Sequence, residues 1–406
     1  MNAFEAEIKG KQVLVFGLGN QGGGTGDLAW LQKHGAVVRA SDKDLTLVAE
    51  GQTPEQIDWA DIIIKNPGVP DDHKLLTYAK SSGKLIYTSA AIFVKYAPIK
   101  TLGISGTRGK STTAALIHAI LEKVYPGQVL FGGNVAGTSC LSLFDELEGK
   151  KYAVLELSSF QLHNFHELKI SPNFALLTNI YPDHLNRYPD MESYLYDKQA
   201  IYLYQNPGDY HVEYPDPQTV RDWETPLPGI HNLQNIAGAW GIVSRLGVSE
   251  NVARQVVSEF TGLPFRQERI ATIKGITYIN DTTSTTPTAA MMALQAATMP
   301  TIWITGGDTK NLPYNELLDV VKTNHLLKNI VILGSKNIPD YTAGLLKIAQ
   351  DKIIGTVQSM QAAVAMANKV AKPGDAVLLS PGFASFDLFQ NEFDRGRQFN
   401  AIVTSL

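Results

Sequence analysis

Short apolar runs alternate with longer stretches in which apolar residues recur every three or four positions, from one end of the chain to the other. The first pattern predicts buried β-strands and the second amphipathic helices; their alternation is that of βα units building parallel sheets. Strands are expected at 12–16, 37–40, 62–64, 84–87, 101–104, 129–131, 153–157 and 174–178, then at 277–280, 301–305, 329–333 and 376–379. Helices are expected at 111–124, 191–204, 232–244, 287–296 and 360–370. Residues 205–228, rich in Pro and Tyr, carry no clear period and read as a loop or short hairpin. The rhythm breaks at Tyr96-Ala97-Pro98 and at Gly262-Leu263-Pro264, which divides the chain into three α/β domains, 1–98, 99–263 and 264–406.

Two glycine loops follow strands. The first, Gly17-Leu18-Gly19-Asn20-Gln21-Gly22, opens a helical stretch, and the next strand closes on Asp42. Strand, G-x-G-x-x-G, helix and acidic residue form the dinucleotide fingerprint of a Rossmann-like domain. Its glycines let backbone N–H groups approach a diphosphate at a helix N-terminus, and Asp42 can accept from a ribose or base donor. A merely tight βα turn has the same glycines, and the fingerprint does not separate NAD from another nucleotide diphosphate. The second loop, Gly106-Thr107-Arg108-Gly109-Lys110-Ser111-Thr112, reads as an ATP site of the P-loop type. Its N–H groups would cradle phosphates, Lys110 would reach the β and γ oxygens, and Ser111 or Thr112 would offer a hydroxyl to Mg²⁺. It departs from G-x-x-x-x-G-K-[ST] in carrying Ile104 where that pattern has glycine.

Further candidates stand at strand ends, where ligands collect in open α/β sheets. Glu156 ends one strand and reads equally as a structural cap or a metal ligand; His184, after Asp183, reads equally as a loop histidine or a metal ligand. Lys198 lies in an amphipathic helical stretch, where a lone lysine is ordinarily solvated surface. In the last third, Thr285 or Thr286 precedes Pro287 and can cap a helix as well as bind a ligand. Gly306-Gly307-Asp308-Thr309-Lys310 and Ser380-Pro381-Gly382-Phe383-Ala384-Ser385-Phe386-Asp387 mark two more strand-to-helix turns, the first with a cation suited to an anionic group.

Composition narrows the partners. With 35 Lys+Arg against 39 Asp+Glu the net charge is −4, so there is no global basic field for nucleic acid. Apolar residues at 44% and charged residues at 18% describe a folded globular chain. The start of the chain is polar, and no apolar run reaches the roughly 18 residues of a membrane span. The one cysteine, Cys140, allows no intrachain disulfide, and no zinc spacing occurs. A cytoplasmic protein with neither nucleic acid nor membrane as partner is expected.

Taken in order, the motifs resemble those of the Mur ligase family. The phosphate loop is followed by Phe131-Gly-Gly-Asn134-Val, Glu156-Leu-Ser-Ser-Phe-Gln-Leu162, Asp183-His184-Leu-Asn-Arg187-Tyr and Gly229-Ile-His231-Asn232-Leu-Gln-Asn235. Arg266-Gln-Glu268, Asn280-Asp281-Thr and Ser380-Pro-Gly-Phe-Ala-Ser-Phe-Asp387 complete the collinear set. The Glu156–Leu162 string is most similar to the D-glutamate-adding branch. The resemblance implies a Rossmann-like first domain holding the UDP of a UDP-N-acetylmuramoyl substrate, a P-loop ATPase second domain binding ATP and Mg²⁺, and a Rossmann-like third domain receiving the amino acid. It implies amide formation through an acyl phosphate, with UDP-N-acetylmuramoyl-L-alanine, D-glutamate and ATP as substrates of a monomeric enzyme.

Position by position it implies Gly106, Thr107, Gly109, Lys110, Ser111 and Thr112 on the ATP phosphates, with Asn235, Arg266 and Asp281 as further nucleotide contacts. Ser111, Glu156 and His184 would serve the metal, together with Lys198 as a carbamylated lysine. Asn134 and His184 would lie near the transferred phosphoryl group and the substrate. Gly17, Gly19, Asn20, Gln21, Asp42, Lys43 and Gly68 would take the uridine diphosphate, and Thr285, Lys310, Ser385 and Phe386 the D-glutamate. The chain departs from the family in a short 203–228 segment, in Thr283 where many members have lysine, in Phe265 where histidine is usual, and in the order of Glu392 and Phe393. Rival readings are a ligase of this fold with another amino acid, an inactive nucleotide-binding regulator, and an NAD-linked oxidoreductase; the last leaves the second glycine loop unexplained.

Overall fold

The computed structural model describes residues 3–19, 22–48, 51–135, 137–184, 187–309, 312–334, 338–385 and 388–406. It is α/β, with mainly parallel sheets. The first sheet contains β1 (Gln12–Phe16), β2 (Val37–Ser41), β3 (Ile62–Lys65) and β4 (Leu85–Tyr87), in the order β2-β1-β3-β4. The second contains β5 (Lys100–Ser105), β6 (Val129–Gly133), β7 (Tyr152–Glu156), β8 (Phe174–Leu177) and β9 (Tyr210–Glu213), in the order β6-β7-β5-β8-β9. Every pairing in these two sheets is parallel. The third contains β10 (Glu268–Ile273), β11 (Ile276–Asn280), β12 (Thr301–Gly306), β13 (Leu327–Leu333), β14 (Ile353–Val357) and β15 (Ala376–Leu379). Its order is β10-β11-β15-β12-β13-β14, and only the hairpin β10–β11 is antiparallel.

The chain forms two compact units. One comprises Met1–Ile180, Asp190–Asp216 and Asn235–Val256, the other Tyr181–Pro189, Pro217–Gln234 and Val257–Leu406. In the first unit a single apolar core runs through both sheets, from Phe4, Trp30 and Phe93 to Phe144, Leu155 and Phe165. The Phe93 and Phe144 rings lie 5.0 Å apart, and Trp30 donates to Asp145 at 3.1 Å. Burial of this shared apolar surface explains why two sheets make one unit. In the second unit the sheet is covered on both faces. Trp303 of β12 packs with Ala290, Leu317 and Tyr341 on one side, whereas its neighbours Ile302 and Ile304 pack with Met360, Val364 and Phe399 on the other. This alternation is the strand period of two.

Three strands have no counterpart in the hydrophobic pattern, namely β9, β10 and β14. All three lie at sheet edges, and none of their residues is buried, so no apolar run marks them. The 205–228 segment is therefore not a hairpin. It sends β9 alongside β8 in parallel, held by the Gln205 amide, which donates to the carbonyls of Pro172 and Tyr210 at 3.0 Å each. The helix expected to 204 ends at Gln199. There the Ser171 hydroxyl donates to the Ala200 carbonyl at 2.7 Å and accepts from the Tyr204 N–H at 3.0 Å, which turns the chain away. No helix of the described residues is long and apolar enough to cross a membrane.

Asp27, in the helix Gly23–Lys33, is buried and accepts from the Ser139 hydroxyl at 2.5 Å. Burial pushes its carboxyl up to about 6, against the opposing hydrogen bonds from Ser139, Ser89 and Leu141. A carboxyl whose pKa rises on folding stabilises the fold below its unfolded value, and that contribution is lost as pH rises through the folded one. Stability should therefore fall from pH 4 to pH 7 by a contribution on the order of 2–3 kcal/mol from this group. Asp27→Asn should remove that slope. Denaturant titrations of both proteins at pH 5 and 7.5 check it: the variant should gain on the wild type at the higher pH, and an unchanged difference would exclude the effect.

Candidate functional site

Strand β5 is central in its sheet and ends at Ser105; the helix Lys110–Val124 begins after Gly109. Gly106 has φ +139° and Gly109 φ +82°, a region that side chains rarely adopt. Space forbids a side chain as well: a Cβ would lie 1.9 Å from Thr178 Oγ1 at Gly106 and 2.0 Å from Asn235 Oδ1 at Gly109. The loop backbone is fixed from outside by the residues that follow β8. Asn179 accepts from the N–H groups of Thr107, at 2.9 Å, and Arg108, at 2.8 Å, and its amide donates to the Arg108 carbonyl at 3.0 Å. The Thr178 hydroxyl donates to that carbonyl at 2.6 Å. Ser111 and Thr112 fall in the first turn of the helix, where N–H groups have no intrahelical acceptor and favour an anion.

Two lysines meet on this loop. Lys110 Nζ donates to the carbonyls of Gly106, at 3.0 Å, and Thr107, at 3.1 Å. Lys198 Nζ donates to the same Gly106 carbonyl at 2.8 Å and to Ser105 Oγ at 3.5 Å. Lys198 is not the solvated surface residue that its amphipathic stretch suggests: it is only 2% exposed. Its helix, Met191–Gln199, turns that face inward, with the Tyr194 ring 4.8 Å from Nζ and the Tyr194 hydroxyl 3.1 Å from Thr107 Oγ1.

Glu156 ends β7 and pairs with Ile104 of β5, so its carboxylate stands at the same sheet edge as the loop. It is 5% exposed, and among the described residues its side chain accepts one hydrogen bond, from Asn134 Nδ2 at 3.4 Å. The Asn134 N–H donates to the Glu156 carbonyl at 2.7 Å. The structure thus brings together Gly106, Thr107, Gly109, Lys110, Lys198 and Asn235 around one loop and pairs Asn134 with Glu156 beside it.

At the first sheet, Gly17 and Gly19 follow β1, and Asp42 follows β2. The Asp42 carboxylate accepts from the N–H groups of Leu18 at 2.7 Å, Gly19 at 3.2 Å and Asp44 at 2.9 Å, so it braces the glycine loop itself. Burial works against its charge, but these N–H donors and the neighbouring Lys43 cation hold the carboxyl below its usual range. Gly68 and the glycine loop are linked by Asn66, which accepts from the Gly68 N–H at 2.8 Å and donates to the Leu18 carbonyl at 3.2 Å. Lys43 is exposed; Asn20 and Gln21 lie outside the described residues.

In the second unit His184 takes φ +55°, with its N–H donating to Asp183 Oδ1 at 2.9 Å and its Nε2 at 3.8 Å from Asp183 Oδ2. Asp281 follows β11 and is nearly buried; its carboxylate accepts from the Gln267 N–H, adjacent to the exposed Arg266, at 3.1 Å and from the Ser380 hydroxyl at 2.7 Å. Thr286 is the residue that precedes the helix Pro287–Gln295, leaving Thr285 half-buried just before it. Ser385 is 2% exposed, and its hydroxyl has no hydrogen-bond partner among the described residues. A buried orphan hydroxyl is costly unless something satisfies it. Lys310 and Phe386 lie outside the described residues.

Sequence reasoning did not single out Asn66, Thr178, Asn179 or Tyr194. Thr178 and Asn179 carry a usable signal, since polar residues directly after a buried strand stand at the ligand edge of the sheet. Asn66, directly after the buried β3, carries the same mark, whereas Tyr194, inside a helix, has none.

Residues 104–223 match the family model for the Mur ligase middle domain, and residues 265–383 match that for the Mur ligase glutamate ligase domain. The UDP-N-acetylmuramoylalanine--D-glutamate ligase of Roseiflexus sp. (strain RS-1) is 31% identical, over 98% of this chain and 99% of its own length. The enzyme of the same name from Christiangramia forsetii is also 31% identical, over 98% of this chain and 100% of its own. The first alignment runs over 467 positions against a chain of 406, so this chain carries internal deletions relative to that enzyme. Among solved structures, the UDP-N-acetylmuramate-alanine ligase MurC of Thermotoga maritima superposes with a TM-score of 0.62 at 16% identity, over 97% of this chain and 99% of that one. The MurF ligase of Thermotoga maritima, solved in complex with ADP, gives 0.61 at 16% identity, over 99% and 97%. These two share the fold. Full-length likeness at this level, with both family models matched and the first of them spanning the phosphate loop, makes the chain a member of the Mur ligase family.

Proposed function

We infer that the protein is an ATP-dependent ligase that joins D-glutamate to UDP-N-acetylmuramoyl-L-alanine in peptidoglycan precursor synthesis. The carrying observation is the likeness, over nearly the whole of both chains, to enzymes named for that reaction. The chemistry explains the need for ATP. A carboxylate is a poor acyl donor because its oxygen is a poor leaving group; phosphorylation yields an acyl phosphate, the D-glutamate amine attacks its carbonyl carbon, and phosphate departs. Lys110 would hold the phosphates while the first turn of its helix meets their charge with N–H groups, and Asn134 would orient the acceptor carboxylate. Three functional parts, 1–98 for the UDP substrate, 99–263 for ATP and 264–406 for the amino acid, fit this reading, as do a monomeric state and a cytoplasmic site of action.

The residues present fit magnesium and a carbamate. Ser111 and Glu156 offer oxygen ligands of the kind a hard divalent cation takes, and the single long hydrogen bond to the buried Glu156 carboxylate leaves lone pairs for it. Bound magnesium would neutralise charge on the phosphates and on the transferred group. His184 is assigned to the same set from the motif. Lys110 and Lys198 both donate to the Gly106 carbonyl, so two ammonium groups repel across one acceptor. Carbamylation of Lys198 would turn that repulsion into attraction and add a further oxygen donor. In the third part, Thr285, Lys310, Ser385 and Phe386 would receive D-glutamate, with the Ser385 hydroxyl satisfied by the ligand. Asn235, Arg266 and Asp281 would contact the nucleotide, and Gly17, Gly19, Asn20, Gln21, Asp42, Lys43 and Gly68 the uridine diphosphate.

Phosphate release from ATP should require both UDP-N-acetylmuramoyl-L-alanine and D-glutamate; equal release with L-glutamate, L-lysine or no amino acid would overturn the assignment. Gly109→Ala, which drives a Cβ into Asn235, should weaken ATP binding in calorimetry by about tenfold or more. ATP affinity within a factor of two of wild type would remove the loop from the site. Lys198→Ala should lose nearly all activity and regain part of it with added short-chain carboxylic acids, while mass spectrometry of the wild type prepared with bicarbonate should show the carbamate mass on Lys198. An active variant that needs no rescue would exclude the carbamate.

A further inference from the structure

Arg395, in the helix Glu392–Thr404, is completely buried. Among the described residues it forms no ion pair, and burial pulls its guanidinium down to about 9 although the Glu392 and Asp281 carboxylates lie near enough to favour the charge. It therefore stays charged at neutral pH, inside the protein, without the carboxylate partner that ordinarily offsets such burial. Its N–H groups are spent on other acceptors. Nε donates to Thr282 Oγ1 at 3.0 Å and Nη2 to the Thr282 carbonyl at 2.8 Å. Nη1 donates to the carbonyls of Phe383 at 3.1 Å and Ala384 at 3.4 Å.

These acceptors belong to the two turns that carry the proposed amino-acid contacts. Thr282 lies three residues before Thr285, and Ala384 directly precedes Ser385. A third turn is tied on behind them: the Asp308 N–H donates to the Ala384 carbonyl at 2.7 Å and the Ala384 N–H to the Asp308 carbonyl at 2.9 Å, just ahead of Lys310. One guanidinium thus joins the strand-end turns after β11 and β15 directly and the turn after β12 through Ala384. Capping neutral carbonyls with a buried charge leaves the fork geometry as the evident gain, since a planar group with donors in fixed directions can hold separate backbone segments at set spacing.

We propose that Arg395 is a positioning residue of the D-glutamate site, holding the turns of Thr285, Ser385 and Asp308 in register through the carbonyls of Thr282, Phe383 and Ala384 while touching no substrate. The inference rests on the functional reading above. Lysine, a point charge with no fork, cannot serve Thr282 and Ala384 together.

The test separates the two halves of the reaction. D-glutamate-dependent phosphate release gives KM values for each substrate, and hydroxylamine traps the acyl phosphate without any amino acid. In Arg395→Lys the KM for D-glutamate should rise by about tenfold or more while that for ATP and the rate of hydroxamate formation stay within about threefold of wild type. Thr282→Val, which keeps the carbonyl and removes the hydroxyl that accepts from Nε and donates to the Glu392 carbonyl at 2.9 Å, should raise the same KM by a smaller factor and decides the matter if Arg395→Lys does not fold. Unchanged D-glutamate KM values in folded variants, or losses shared equally by ATP, hydroxamate formation and D-glutamate, would overturn the positioning role. A wild type whose phosphate release ignores D-glutamate would instead overturn the functional reading, and the acceptor assignment with it.

Discussion

The first unit depends on a loop that cannot move outward or take a side chain. Thr178 and Asn235 occupy the space that a Cβ at Gly106 or Gly109 would need. Asn179 and Thr178 pin the Thr107–Arg108 backbone from the β8 side. Because β5 is central, with β7 on one side and β8 on the other, the loop inherits neighbours from both: Glu156 ends one flanking strand and Thr178 follows the other. Gly106 to Thr112 and Glu156 then stand on, or just beyond, a strand end or at a helix start, whereas Lys198 and Asn235 come to the loop from within the helices Met191–Gln199 and Ile230–Val243. The strand-end placement follows from parallel topology, in which all these strands deliver their C-terminal ends to one edge.

What was legible in the sequence was local. A run such as Ile62–Lys65, buried at every position, announces itself, and a glycine loop between strand and helix does so too. Edge strands such as β9 and β14 were not legible because they are paired on one side only and none of their residues is buried. Lys198 failed for a different reason. Its helix has a polar face, and polarity alone does not tell water from the carbonyl of a glycine loop distant in the chain. Only the ordered resemblance to a family singled it out. Arg395 had no mark of either kind, since its partner Thr282 is far from it in sequence.

Those residues share a physical habit. Lys110, Lys198 and Arg395 give hydrogen bonds to backbone carbonyls, and Asp42 takes three from backbone N–H groups. A side chain that holds backbone fixes the position of whole peptide units, and with them the direction of their dipoles, whereas a bond between two side chains fixes only their tips. Burying the charge strengthens the hold, because an unpaired carbonyl or ammonium in a low-dielectric interior has no water to exchange for its partner.

The same device answers a difficulty of ligand recognition. Neutral hydroxyls such as Ser385 cannot by themselves compensate a desolvated carboxylate, and a turn built from short polar residues has many conformations available to it. Tying the turns after β11 and β15 to one buried cation removes those alternatives before any ligand arrives, so less ordering cost remains at binding. Under the proposed reading, what Arg395 supplies is the fixed spacing of these turns, and the charge that meets a carboxylate has to come from another side chain.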